Sequence, residues 1–158
     1  RGDWRMPSDA SAALWLREAE ALKQAAVSEH DDLARYFALV SYGDVIQELA
    51  PGDAEQKAFF RSRLQREQAA VCRLGCEYAL YQLGEPGALE RILMYLDDPD
   101  YLVRCRAVCT LAEIADEENR GRILEAVRGR REKEKAAPVR ERMDELLGRE
   151  AAFYQAMG

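Results

Sequence analysis

Two stretches of this chain repeat one pattern and decide the fold: RLGCEYALYQLGEPGALERILMYL at residues 73–96 and RCRAVCTLAEIADEENRGRILEAV at residues 104–127. They align without a gap at an offset of 31 residues. The matched positions are Arg73 with Arg104, Cys76 with Ala107, Leu80 with Leu111, Leu83 with Ile114, Ile92 with Ile123, Leu93 with Leu124 and Leu96 with Val127. A fixed period of this size is typical of helical hairpins that stack into a solenoid, so the sequence predicts an all-α fold.

Helical spacing of apolar residues continues through the rest of the chain, and no segment alternates like a strand. The first three predicted helices run from Ser8 or Asp9 to about Val27, from Asp31 or Asp32 to about Leu49, and from Asp53 after the Pro51-Gly52 break. The next three run from about Gln68 to Leu83, from Pro86 to Leu96 and from Tyr101 to Ala115. The last two run from about Glu117 to Arg128 and from Pro138 onward. In the first two helices the predicted inward residues are Leu14, Trp15, Leu22, Ala26, Leu33, Phe37, Val40, Ile46 and Leu49. The sequence leaves open whether the third helix runs straight into the fourth, because no strong helix breaker separates them.

The segment Asp98-Pro99-Asp100-Tyr101-Leu102-Val103-Arg104, with Ala107 and Leu111 after it, resembles the first helix of a HEAT repeat. The closest form of the pattern is the short bacterial one, also seen in phycobilisome-lyase-like proteins. Residues 83–89 resemble the link between the two helices of such a hairpin, and a third copy begins at Val139-Arg140. The resemblance covers residues 68–147 and implies a right-handed α-solenoid of about three to four hairpins behind an N-terminal capping helix.

In that family an Asp and an Arg of neighbouring repeats form a ladder along the stack. The resemblance assigns this structural role to Arg73, Asp98, Arg104 and Arg140. The acidic position of the other two copies is occupied by Glu67 and Glu134.

The length of 158 residues suits one domain, and an apolar fraction of 48% suffices for a core. We expect residues 1–7 to be a disordered or linker remnant and residues 8–158 to form a single domain. Within it, residues 8–67 would make the capping helix and a degenerate hairpin, and residues 68–158 the clear repeats.

The net charge of −6 restricts the class of partner. An acidic chain is a poor general binder of nucleic acid, because such binding depends on neutralising phosphates. No run of about 18 apolar residues occurs, so we expect no membrane partner. We expect a protein partner, and the acidic balance would suit a basic one.

Four cysteines and one histidine are the candidate metal ligands and nucleophiles. Cys72 with Cys76 and Cys105 with Cys109 share helical faces at i, i+4 spacing, which could present thiolates to zinc. We favour the reading as small core residues and reduced thiols of a cytoplasmic protein, with no metal and no cofactor. His30 is predicted at a helix end, and a single histidine gives little basis for a catalytic site.

Two charged runs have both a binding and a structural interpretation. The acidic turn Asp97-Asp98-Pro99-Asp100 and the later Asp116-Glu117-Glu118 could attract a cation, but helix capping is the favoured interpretation. The basic run could bind phosphate or an acidic partner, but it is expected to be a solvated connection with local ion pairs. It comprises Arg128, Arg130, Arg131, Lys133, Lys135, Arg140 and Arg142.

HEAT stacks bind partners along the concave face formed by their second helices, and the resemblance carries this role onto particular residues. The predicted partner-binding residues are Arg61, Glu90, Arg91, Met94, Tyr95, Arg122, Glu125 and Arg128. Arg91 and Tyr95 are the strongest candidates, because arginine and aromatic residues dominate binding hot spots. The predicted function is non-catalytic protein binding, as an adaptor or as an immunity-type protein that blocks its partner.

Two alternatives stay open. The first is an enzyme, either bilin-lyase-like or similar to the HEAT-like DNA glycosylases, which rests on analogy of fold alone. The second is a structural piece of a larger solenoid, which the first residue, Arg1, permits.

Overall fold

The structure is a computed structural model that describes residues 9–49 and 53–157, with side chains for residues 13–49 and 53–152. These residues form helices and no strand, as predicted. The helices are α1 Asp9–Ser28, α2 Asp32–Leu49, α3 Ala54–Arg66, α4 Ala70–Gln82, α5 Ala88–Met94, α6 Tyr101–Ile114, α7 Arg120–Arg131 and α8 Ala137–Met157. A 3₁₀ turn, Tyr95–Asp97, follows α5. The predictions for residues 1–8 and for Pro51-Gly52 lie outside the described residues.

The chain divides into two compact units, a first unit Arg1–Pro86 and a second unit Gly87–Gly158. In the first unit α2 packs against both α1 and α4, and α3 packs against α4. Contacts between α2 and α4 advance together along both helices, from Tyr36 beside Gly75 to Gly43 beside Ala79. The two helices therefore run parallel, with one connecting helix between them.

Close approach of α2 and α4 requires a glycine. A Cβ added to Gly43 would lie 2.7 Å from the Cβ of Ala79, which is nearer than side chains pack. The Tyr78 hydroxyl donates to Asp44 Oδ1 at 2.7 Å next to this contact. Phe60, fully buried, closes the core from α3 and stacks at a tilt on Tyr42, with ring centroids 5.6 Å apart.

The second unit repeats the parallel arrangement with α6 and α8. Arg104 at the start of α6 contacts Glu134 just before α8, and Arg149 Nη2 on α8 donates to the carbonyl of Ala112 near the end of α6 at 2.9 Å. α7 packs against α8, and α5 with its 3₁₀ turn packs against α6. All six apolar pairs of the aligned stretches are buried in both copies.

The structure answers one question that the sequence left open, and it shifts α7 by three residues at both ends from its predicted bounds. α3 and α4 are separate helices, because Glu67 and Ala69 adopt extended backbone with ψ near 125°. α7 begins at Arg120 rather than Glu117, since the Asp116 carboxylate accepts the N–H groups of Glu118 and Asn119 and holds a turn there.

The predicted inward stripe of the first two helices was wrong at three positions. Leu14, Leu33 and Phe37 are 55%, 47% and 46% exposed. α2 carries apolar residues on more than one side, and Tyr36 and Leu39 are the ones that face α4. Spacing alone could not say which apolar side is covered.

Candidate protein-binding groove

Two glycine turns set the direction of α5, which forms one wall of the site. Gly84 ends α4 with φ +82°, and its N–H donates to the carbonyl of Tyr81. Gly87 caps α5 with φ +80°, a left-handed conformation that other residues adopt only under strain. Within the second unit, α5 presents its outer surface beside α7.

The site is a groove of about 330 Å³ between α5 with its 3₁₀ turn and α7. Its apolar lining comes from Leu93, Leu96 and Ala126. Met94 stands at the edge with 71% of its surface exposed, the largest exposure among the large apolar residues that the structure describes. Gly129 leaves the α7 wall open, because a Cβ there would meet nothing within 4 Å. The groove thus combines apolar and charged lining residues, and no described residue covers it.

An ion pair closes the groove at each end. Arg122 Nε and Nη2 donate to the two oxygens of Glu90 at 2.9 Å each, and this hydrogen bonding lowers the pKa of the Glu90 carboxyl. At the other end Arg130 Nε lies 3.1 Å from Asp97 and donates to the carbonyl of Leu96 at 2.8 Å. Both carboxylates of the groove are therefore already engaged by arginine.

The structure brings only some of the predicted partner-binding residues together. Glu90, Met94 and Arg122 line the groove. Arg91 and Tyr95 are partly buried, and the Arg91 guanidinium reaches back over Gly87. Glu125 and Arg128 are exposed on α7 but do not line the groove. Arg61 belongs to the first unit, where it makes a two-pronged ion pair with Glu85.

Sequence reasoning missed the groove residues Leu93, Leu96, Ala126 and Gly129 as binding candidates, and it named Arg130 and Lys133 only as members of the basic run. One signal was available, because an isolated glycine inside a helical pattern costs stability and often has a packing or functional reason. Gly129 is such a glycine. The ion pairs at the groove ends join residues 32 and 33 positions apart, and no local sequence pattern predicts them.

The three predicted ladder arginines each make the same kind of contact with the backbone. Arg73, Arg104 and Arg140 each donate through Nη1 to the carbonyl six residues earlier, at 3.1, 2.7 and 3.2 Å. Arg35 makes the same contact with the carbonyl of Glu29 at 3.0 Å, although sequence reasoning did not include it. This arginine closes the turn that precedes α2, α4, α6 and α8.

A buried charge cluster joins successive turns within each unit. Glu67 accepts Arg35 Nε with both oxygens at 3.0 Å and Arg63 Nη2 at 2.7 Å. Burial raises the pKa of Glu67, but the hydrogen bonds from the two arginines outweigh it and bring the pKa below its ordinary value.

The second unit has the matching cluster. Glu134 accepts Arg104 Nε at 2.8 and 2.9 Å, and Arg130 Nη2 lies 3.6 Å away. The cluster therefore links the start of α6 to the turn before α8. Its second arginine, Arg130, also lies at one end of the groove.

A larger depression, about 850 Å³, lies in the first unit over the Arg35–Glu67–Arg63 cluster. His30, exposed between α1 and α2, is on its rim as expected for a residue at a helix end. Its lining is mostly charged, and the buried carboxylate, Glu67, already pairs with two arginines. Val27, which is 48% exposed, and Ala69 supply its apolar lining.

The cysteines follow the core interpretation in the first unit. Cys72 and Cys76 are fully buried, and Cys72 Sγ donates to the carbonyl of Asp32 at 3.1 Å. Burial raises the pKa of Cys72 to about 11 and that of Cys76 further. Cys105 and Cys109 are partly buried on α6. Within residues 13–49 and 53–152, no three side chains among His, Cys, Asp and Glu are grouped as metal ligands.

The charged runs make internal contacts. Asp100 accepts the N–H of Leu102 at 2.9 Å as the cap of α6, and Asp98 accepts the N–H of Asp100. In the basic run Arg131 pairs with Asp144 at 2.7 Å and Arg142 with Glu145 at 3.3 Å. The members of the run that make no ion pair with any described residue are Arg128, Lys133, Lys135 and Arg140.

No family model, characterised protein or solved structure matches this chain significantly. Among the helices that the structure describes, none combines the length and the hydropathy that a membrane crossing needs.

Proposed function

We propose that this chain is a non-catalytic protein-binding module whose helical hairpins stack as a short HEAT-like α-solenoid. Each unit contributes one step of such a stack, with parallel first helices, α2 and α4 or α6 and α8, and a connecting helix between them. The shared Arg–Glu–Arg cluster supports a common step, since it links the same structural positions in both units.

The observation that carries the binding function is the uncovered groove between α5 and α7. An apolar floor bounded by ion pairs is the usual anatomy of an interface, with a hydrophobic centre and a polar rim. Met94 suits a recognition surface because its flexible thioether side chain adapts to the shape of a partner. The proposed class is an adaptor or an immunity-type inhibitor that holds one protein partner on this surface.

A photo-crosslinking amino acid in place of Met94 tests the proposal. The matched control carries the same amino acid in place of Leu102, which is also apolar and 58% exposed but lies on α6. We expect a single protein adduct in extracts of the source cell from the Met94 position and none from the Leu102 position.

Affinity for the purified adduct partner should then fall in Met94→Ala and Ala126→Glu, because both side chains line the groove. Truncation of a central interface residue costs about 1–2 kcal/mol, or roughly ten-fold in affinity. Unchanged affinity in both variants, or equal labelling from both crosslinker positions, would remove this surface as the binding site.

A further inference from the structure

The charges of the groove are only partly compensated. Glu90 and Asp97 each pair with an arginine, as described above, so neither carboxylate is available to a partner without displacing Arg122 or Arg130. The fifth charged group of the lining is Lys133, which makes no ion pair with any residue that the structure describes. The lining as a whole therefore carries one uncompensated positive charge, beside an apolar floor.

We propose that the groove binds a protein segment that inserts one bulky apolar side chain and places a carboxylate beside Lys133. This inference rests on the proposed binding function and specifies the chemistry of the partner. The apolar side chain lies over Leu93 and Ala126 in the space that Gly129 leaves open, and Met94 closes over it. The carboxylate meets the Lys133 ammonium at the end of the groove that Arg130 also borders.

The spacing of the ion pairs supports a short segment. Glu90 and Asp97 lie seven positions apart, which corresponds to about 10 Å along a helical segment. That distance accommodates about two turns of a helix or three residues of an extended strand. The volume of about 330 Å³ is at the small end of binding pockets, as expected for one anchoring side chain rather than a whole ligand.

Local charge here opposes the charge of the whole chain. The net charge of −6 favours a basic partner at long range. Contacts, however, are decided by groups within a Debye length of about 8 Å at physiological ionic strength. Within the groove Glu90 and Asp97 already pair with Arg122 and Arg130, whereas a partner carboxylate gains a lysine that makes no ion pair with any described residue.

Two matched peptides test the inference on the full chain. Both are capped 14-residue amphipathic helices with the same leucine face, and they differ only in carrying Glu or Lys beside that face. Binding is followed by NMR through the Met94 methyl and the Gly129 amide. We expect the acidic peptide to shift both signals and to bind roughly 3–5-fold more tightly than the basic one, the range of an exposed ion pair.

Three variants separate the contributions. Lys133→Glu should reverse the preference between the two peptides. Gly129→Leu should abolish binding of both by filling the groove, and Gly148→Leu is its control because a Cβ at Gly148 also meets nothing within 4 Å. Circular dichroism checks that the three variants keep their helix content.

The outcomes distinguish this inference from the function on which it rests. A stronger signal from the basic peptide, or a preference that Lys133→Glu leaves unchanged, overturns the acidic partner. If the Met94 crosslink still yields one adduct in that case, the binding function survives. Failure of both peptides to move the Met94 and Gly129 signals overturns the inference, and loss of the crosslinked adduct alone overturns the proposed function.

Discussion

Glycine has opposite roles in the two units of this protein. In the first unit Gly43 lies against Ala79, and a Cβ there would lie 2.7 Å from the Cβ of Ala79. In the second unit Gly129 and Gly148 face open space. Gly43 permits α2 and α4 to approach closely, whereas Gly129 leaves a surface groove open. One residue type therefore serves packing in one unit and the candidate site in the other.

The charge clusters, in contrast, are nearly identical. Glu67 in the first unit and Glu134 in the second each lie among two arginines, with side chains 3% and 0% exposed. The units thus share the electrostatic link between successive turns and differ in how their helices pack. Each prediction below either tests that shared link or exploits that difference.

The largest effect is expected from removing the central carboxylate in either unit. Glu67→Ala and Glu134→Ala should each destabilise the protein by about 3 kcal/mol, because each removes a buried carboxylate that lies between two partly buried arginines. Urea unfolding followed by circular dichroism measures this, with the exposed Glu141→Ala as a control expected to stay within about 0.5 kcal/mol. A loss below about 1 kcal/mol in one unit alone would show that the clusters are not equivalent.

A smaller effect is expected from the glycine contact of the first unit. Gly43→Ala should cost about 2 kcal/mol, since overpacking a close helix contact forces the helices apart. The double variant with Ala79→Gly removes the opposing Cβ and should recover more than half of the loss, after allowance for the weaker helix propensity of glycine. Additive losses in the double variant would contradict the contact between these two residues.

Acid should weaken the first unit through Glu67, whose pKa in the folded protein is below its ordinary value. The stabilisation that ionised Glu67 gives the folded protein is therefore complete above the pKa of Glu67 in the unfolded chain, about 4.3. It is lost as the pH falls through the pKa of Glu67 in the folded protein. The loss should be smaller than in Glu67→Ala, because a protonated carboxyl still accepts a hydrogen bond. Urea unfolding at pH 7 and pH 3 measures how the free energy of unfolding changes with pH. The change should be smaller in Glu67→Gln than in the unmodified protein. An equal change in both would exclude Glu67 as a source of the acid sensitivity.

Sequence reasoning reached the helices and the repeat because both are local or periodic properties. The aligned pairs such as Leu80 and Leu111 are buried in both copies, as their matching apolar character indicates. The apolar pattern of the sequence could not decide which side of α2 is covered. Leu33 and Phe37 were predicted to face inward for that reason. The side that is buried depends on how α1 and α4 pack against α2, and residues 50–69 separate α2 from α4 in the sequence.

The candidate site was predicted only in part for a related reason. Glu90, Met94 and Arg122 follow from their place on the second helices, but the groove also needs Gly129 and Lys133. The charge on a residue says nothing about whether a distant carboxylate already neutralises it. Arg130 and Lys133 have the same charge and lie three positions apart, yet only the first is paired.

The smallest effect has the opposite sign to that at Gly43. Gly129→Ala should stabilise the protein by about 0.5–1 kcal/mol, because alanine has the higher helix propensity and its Cβ meets no neighbour. The same substitution in the same kind of helix would then destabilise the first unit and stabilise the second. Urea unfolding of both variants under one set of conditions measures the contrast, with Gly148→Ala as a second case of stabilisation. A destabilised Gly129→Ala would mean that this part of α7 is more crowded than the groove requires, and the opening that the candidate site depends on would not exist.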